Sequence, residues 1–150
     1  MANAFRSVRM IRISAGLIGL AVGVSGCGLS GGGAVPLDTV QQVDIARYMG
    51  KWYEIAKYPL IFERGCAGVT AEYTLRDDGT VGVLNTCRGS DGTTVSNTIE
   101  GFATVADPST NAKLTVYFFY PFGAPYWIIE LDDNYQYAVV GDPSRTYLWI

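Results

Sequence analysis

Residues 49–59 read Met-Gly-Lys-Trp-Tyr-Glu-Ile-Ala-Lys-Tyr-Pro, and the reading of this stretch decides the fold. Gly50 permits a backbone conformation closed to other residues. Trp52 is a large apolar body with a single N–H to satisfy. Pro59 lacks the N–H that a strand ladder needs, so it is a natural stop. The stretch therefore reads as a short strand with an abrupt start. What the rest of the chain builds around Trp52 sets the architecture.

Downstream the hydrophobic period is two almost everywhere. Val69, Ala71, Tyr73 and Leu75 alternate with Thr70, Glu72 and Thr74, the mark of a one-sided strand. Leu114, Val116 and Phe118 alternate with Lys113, Thr115 and Tyr117, and Gly101 and Ala103 share the parity of Ile99. Further strand-like runs are VGVLNTC, PYWIIEL, QYAVVG and RTYLWI, separated by the turn signals RDDG, GSDG, ADPSTN, YPFGAP, LDDN and GDPS. Counting from Gly50 gives eight short strands. The only helical hint is VDIARYM, before the first of them. Neighbouring antiparallel strands with short connections predict an all-β, eight-stranded, up-and-down barrel, which leaves no open sheet edge. A two-sheet sandwich is the alternative.

The first residues belong to targeting rather than fold. Arg6, Arg9 and Arg12 precede the apolar run ISAGLIGLAVGV, and small residues then lead to Cys27. This reads as a secretory signal over residues 1–26. Val24-Ser25-Gly26 before Cys27 looks like a lipobox, so cleavage before Cys27 and lipidation of its sulfur and amine are expected. An ordinary signal followed by a chance cysteine is the alternative. Several acyl chains, at about 0.8 kcal/mol per buried methylene, anchor far better than one. Residues 27–40 then form the lipidated cysteine and a glycine-rich tether, and 41–150 form one domain. Gly28, rather than Asp, after the lipidated cysteine looks like outer-membrane sorting in a diderm bacterium. In a monoderm the same anchor would hold the protein on the outer face of the plasma membrane.

Composition narrows the chemistry. Three of the 11 Lys and Arg lie in the leader and none of the 14 acidic residues does, so cleavage moves the net charge from −3 to −6. With no basic patch, nucleic acid is not an expected partner. The chain has no histidine, which removes His-based triads, His general bases and the usual zinc sites. No cofactor or metal is implied. Besides Cys27 there are two cysteines, Cys66 and Cys87, flanking the hairpin turn at Asp77-Asp78-Gly79. An exported chain with an even pair suggests a disulfide, helped by a bulge or by the loop before the strand. Two free thiols, one of them nucleophilic, are the alternative.

With these motifs in place the chain resembles the lipocalin family, in particular its bacterial outer-membrane branch and the branch of apolipoprotein D. Gly50-Lys51-Trp52, extended by WYEIAKYP, resembles the family's first motif. LDDNYQYAVVGDPSRTYLWI, centred on Asp132, Tyr135 and Tyr137, resembles its second. The likeness runs from about Val43 to Ile150. One departure is clear: the sequence stops at Trp149-Ile150, before the arginine of the third motif and before the usual C-terminal helix. The chain is thus expected to be truncated; were Ile150 its true end, the closed end would be underpacked and one flank of the barrel uncovered.

The resemblance implies roles. The short helix would plug the barrel floor, Gly50 would turn the chain off it, and Trp52 would fill the floor as a structural plug. Alternation and family likeness together project Ala56, Ala71, Tyr73, Ile99, Gly101, Leu114, Val116, Phe118, Tyr126, Ile128, Ala138, Val140, Tyr147 and Trp149 inward as ligand-lining positions. The recurring Ala and Gly would leave space, which suits an extended apolar ligand with a polar end at the mouth. A 16-carbon tail would release at most about 12 kcal/mol at roughly 0.8 per methylene. Ordering and association costs bring this to roughly micromolar affinity. Leu60, Ile61, Phe62 and Phe122 would make the mouth apolar, unless they fold back as a lid. Glu54 and Glu130 share the inward parity and would need a partner, water or a strand end.

The expected function is a lipid-anchored binding protein, not an enzyme. It would store or carry fatty acids, lysophospholipids or similar apolar molecules by reversible burial. The alternatives are an envelope interaction lipoprotein with a filled barrel, or a lipocalin-type isomerase or de-epoxidase using a thiol of Cys66 or Cys87.

Overall fold

A computed structural model of the protein describes residues 35–59 and 65–150. The signal-like leader, Cys27 and most of the tether lie outside these residues, as do Leu60, Ile61 and Phe62. The elements run α1 (Ile45–Tyr48), β1 (Gly50–Tyr53), β2 (Gly68–Leu75), β3 (Val81–Arg88), β4 (Val95–Val105), β5 (Lys113–Phe119), β6 (Phe122–Leu131), β7 (Ala138–Gly141) and β8 (Leu148–Trp149). All pair antiparallel in sequence order as one sheet. The sheet then returns on itself. Ile55 N–H and Ala56 N–H donate to Ile150 O, Ile150 N–H donates to Ala56 O, and Tyr58 N–H donates to Leu148 O. The architecture is therefore the up-and-down barrel, not the sandwich.

The one-turn helix α1 starts at Asp44, whose carboxylate accepts the Arg47 N–H at 3.2 Å, a side-chain cap of a first-turn donor. The helix is shorter than VDIARYM suggested. Gly50 follows it with φ +106, a conformation that glycine alone takes without strain, and no atom crowds the place of its missing Cβ. The expected turn off the helix is thus a matter of backbone conformation rather than space. Tyr135, itself at φ 60, ties the helix to the β6–β7 turn. Its hydroxyl accepts the Asp44 N–H at 2.9 Å, and Arg47 lies 4.1 Å above its ring. Asp132 shapes that turn by accepting the N–H groups of Asn134 and Gln136.

Strand direction defines two ends. The helix and the β2–β3, β4–β5 and β6–β7 turns lie at the floor. The β1–β2, β3–β4, β5–β6 and β7–β8 connections lie at the mouth. The core is confined to the floor half, where Val81, Val83, Ala103, Ile128 and Val140 are buried. Beside β1 the wall is open. The edge of Gly50–Tyr53 away from β2 has no strand partner among the described residues, and a slot of about 360 Å³ lies there between Trp52, Tyr53 and Tyr137. Among the described residues, no helix is long and apolar enough to cross a membrane.

Candidate functional site

Inside the barrel, strand register stacks side chains in rungs. Gly50, Tyr73, Val83 and Gly101 form one rung across β1 to β4; Trp52, Ala71, Asn85 and Ile99 form the next toward the mouth. Ala103 with Val116, Leu114 with Tyr126, and Ile128 with Val140 and Trp149 continue the wall. Trp52 sits at the floor as expected. Its ring stacks on Tyr48 at 4.7 Å, and its Nε1–H donates to Tyr48 O at 2.9 Å.

Three phenols fill the space behind Trp52. Tyr126 Oη lies 2.9 Å from Tyr48 Oη and 3.0 Å from Tyr73 Oη. Burial pushes the Tyr73 hydroxyl up to about 12, against the hydrogen bond to Tyr126, which lowers it. Burial also raises Tyr48 and Tyr126, so none of the three is a phenolate at neutral pH. Tyr126 and Tyr73 were legible as inward residues; Tyr48, arriving from the helix, was not. The enclosed void left between the phenols, Leu114 and Val116 is about 10 Å³, room for a single water at most.

This packing divides the fourteen projected lining residues. Leu114, Val116, Ile128, Ala138 and Val140 are 9% exposed or less, and with Tyr73 and Tyr126 they build the solid lower half rather than the wall of an open cavity. Gly101 does not leave room for a ligand. A Cβ there would lie 2.3 Å from Tyr117 O and 2.8 Å from Phe118 Cδ1, so the space is already taken by β5. Ala56 is exposed at the rim, where its backbone closes the ring with Ile150. The remaining residues, Ala71, Ile99, Phe118, Tyr147 and Trp149, keep partial exposure, Tyr147 reaching 39%, and of these Phe118 and Trp149 also pack against the core. Tyr147 and Trp149 stack with ring centroids 5.9 Å apart. Of the projected lining residues these five keep accessible apolar surface, while beside β1 the slot bounded by Trp52, Tyr137 and Ala138 opens the lower wall as well.

The acidic residues resolve differently. Glu54 pairs with Lys57 at 2.7 Å, both largely shielded. Glu130 is exposed, because a bulge between Ile128 and Glu130 sets it opposite Val139 and turns it off the inner face. Cys66 and Cys87 form a disulfide with Cα atoms 5.3 Å apart, Cys66 lying in the loop before β2. That removes the free thiol on which the enzymatic alternative depended. At the mouth, Phe122 is 80% exposed beside Phe119 and Tyr120; it does not fold back as a lid. No cluster of potential metal ligands occurs among the described residues.

The fold and this interior define a class: a small antiparallel up-and-down barrel with a short helix and Trp52 packed into one end. The chain belongs to the lipocalin family. The profile of the Lipocalin-like domain matches residues 43–150. The chain is 46% identical over 111 residues to the outer membrane lipoprotein Blc of Citrobacter freundii, covering 74% of this chain and 62% of that one. It is 43% identical over 125 residues to temperature-induced lipocalin-1 of Arabidopsis thaliana, covering 76% and 64%. It is 42% identical over 120 residues to bovine apolipoprotein D, covering 79% and 61%. The chain thus spans less than two thirds of the length of these relatives. Among solved structures, the cockroach allergen Per a 4 superposes with a TM-score of 0.52 at 22% identity, over 75% of this chain and 70% of that one, a likeness of fold.

Proposed function

We propose that this lipocalin binds small apolar molecules, such as fatty acids or lysophospholipids, by reversible burial in the upper half of its barrel. It is read as a carrier or store, with no bond made or broken. The observation that supports this reading is a contrast within the barrel: a core packed to a void of about 10 Å³, next to Ile99, Phe118, Tyr147 and Trp149, which keep apolar surface exposed. Apolar wall left open to water gains free energy when a ligand covers it. Because the lower half is filled, only part of a long acyl tail is covered, and the expected affinity is micromolar or weaker.

The envelope address is part of the same proposal. The Cys27 motif supports a lipid anchor, and relatives in Citrobacter freundii, Vibrio cholerae and Escherichia coli carry the name outer membrane lipoprotein. We place this chain accordingly at the outer membrane of a diderm host, held through Cys27.

The test is equilibrium titration of the chain carrying Cys27→Ser, which stops lipidation, with palmitate and with a lysophospholipid. Saturable uptake of either at about one per chain is expected. Trp149→Ala should weaken it roughly tenfold, since the indole is among the largest apolar surfaces of the upper chamber. Unsaturable partition, or uptake that Trp149→Ala leaves unchanged, would contradict this reading. It would favour a filled barrel that acts through its loops.

A further inference from the structure

No charged residue lies between Lys113 and Glu130, and this run holds the most exposed aromatic side chains among the described residues. The hairpin of β5 and β6 turns within it at Tyr120-Pro121, at the mouth. There Phe119, Tyr120 and Phe122 are 72, 77 and 80% exposed, and Gly123, Ala124 and Pro125 beside them are exposed too. The tip is braced by its own packing. Tyr117 stacks on Phe102 with ring centroids 4.9 Å apart, and Tyr120 lies 6.0 Å from Tyr117. A Cβ on Gly123 would lie 2.6 Å from Tyr117 Cε1, so the glycine makes way for that ring. An uncharged aromatic patch of this kind marks contact with something outside the barrel.

The path of the chain ahead of the helix says what that contact is. Arg145, in the β7–β8 connection at the same mouth, donates from Nη2–H to Val35 O at 2.8 Å. From there the chain descends: Val40 N–H donates to Ile128 O on β6, and Val43 N–H to Thr110 O in the β4–β5 turn at the floor. The residues before Val35 therefore leave from the mouth end. Cys27 precedes Val35 by eight residues, a reach of roughly 28 Å at full extension. An anchor on Cys27 thus draws the mouth, not the floor, to the bilayer. We infer that the β5–β6 tip docks on the lipid surface. Phe119 and Phe122 enter the boundary between headgroups and acyl chains, and Tyr120 keeps its hydroxyl at headgroup level. The attraction is apolar, since the tip carries no cation and the chain is net negative. The inference rests on the reading of Cys27 as an anchor and goes beyond the reading of the barrel as a ligand site.

The experiment adds one indole at the tip, Phe122→Trp, and in a separate chain one at the floor, Asp77→Trp in the exposed β2–β3 turn. Each full chain, as its cells process it, is reconstituted in phosphatidylcholine vesicles with and without brominated acyl chains, which quench an indole that reaches them. The tip indole should lose about half of the emission that the substitution adds, and the floor indole almost none. Phe119→Ser in the Phe122→Trp chain should cut that loss roughly twofold, because it removes part of the docking patch. A tip indole quenched no more than the floor indole overturns the docking. If that chain still floats with the vesicles, the anchor reading stands; if it does not float, the anchor reading falls as well. Sedimentation without lipid covers the rival occupant. A dimer that Phe119→Ser dissociates, together with an unquenched tip indole, assigns the patch to a second copy of the chain and overturns the proposal.

Discussion

Tyr126 holds the floor together through one oxygen atom. Its hydroxyl is the bonding partner of both Tyr48 and Tyr73, so Tyr126→Phe leaves two buried hydroxyls short of a partner at once. A buried polar group stripped of its partner costs about 1–3 kcal/mol. We expect Tyr126→Phe to lower the unfolding free energy by at least that much in urea denaturation, and Tyr48→Phe, which strips one bond, by less. Equal stability of Tyr126→Phe and the unsubstituted chain would show that the cluster does not stabilise the floor. At this scale the sequence was informative about Trp52, whose apolar bulk and single N–H both find their match on Tyr48. It was silent on Asn85. An amide in VLNTC occupies an inward position that alternation alone assigns to apolar residues, and only the closed barrel shows that its oxygen is unmatched. It misled at Gly101, where a missing side chain suggested room for a ligand but serves the close approach of Tyr117.

Turn chemistry dominates at the scale of elements. Asp78, Asp91, Asp107 and Asp142 each accept bonds from neighbouring Ser or Thr groups in the connections. Hydrogen bonds from Thr94 and Thr93 hold the Asp91 carboxyl down to about 2. Burial pushes the Asp142 carboxyl up, but bonds from Ser144 and the Tyr147 N–H outweigh it, and its value is lowered. Asp78 and Asp107 are lowered as well, chiefly by Thr80 and Ser109. Carboxyls depressed in the folded state add stability above their ordinary range and lose it as pH falls through the folded value. The denaturation midpoint should therefore fall between about pH 4 and pH 2, with hydrogen exchange rising in the floor and mouth turns that hold these carboxyls. A midpoint constant over that window would contradict this.

The disulfide acts on the same scale. Cys66 and Cys87 are 21 residues apart, and closing a loop of that size is worth about 3 kcal/mol. Reduction should lower the unfolding free energy by about that amount, measured by urea titration with and without reductant. No difference would show that the bridge is not formed in solution. Alternation found most of the strands because one face of each is buried. It missed the bulge at Ile128 and Glu130, since an extra residue reverses parity without any local mark in PYWIIEL. It also read YPFGAP as a turn, whereas β6 begins at Phe122 and leaves only Tyr120-Pro121 between the strands.

At the scale of the whole molecule, regular turn spacing and short connections allowed a closed ring to be expected from sequence, and the bonds from residues 55–58 to the end of β8 close it. Which part of the ring is hollow was not legible. Volume depends on how Tyr48, Trp52, Tyr73 and Tyr126 meet in three dimensions, and their meeting fills the space behind Trp52. The account stands on the upper half being a chamber that an apolar guest occupies. Its most direct test is mass spectrometry of small molecules extracted from the protein after purification from the cells that make it. The account predicts a defined set of apolar molecules at about one per chain, lost when Ile99→Trp fills the chamber. Protein recovered empty in repeated preparations, or carrying the same molecules with and without Ile99→Trp, would contradict it.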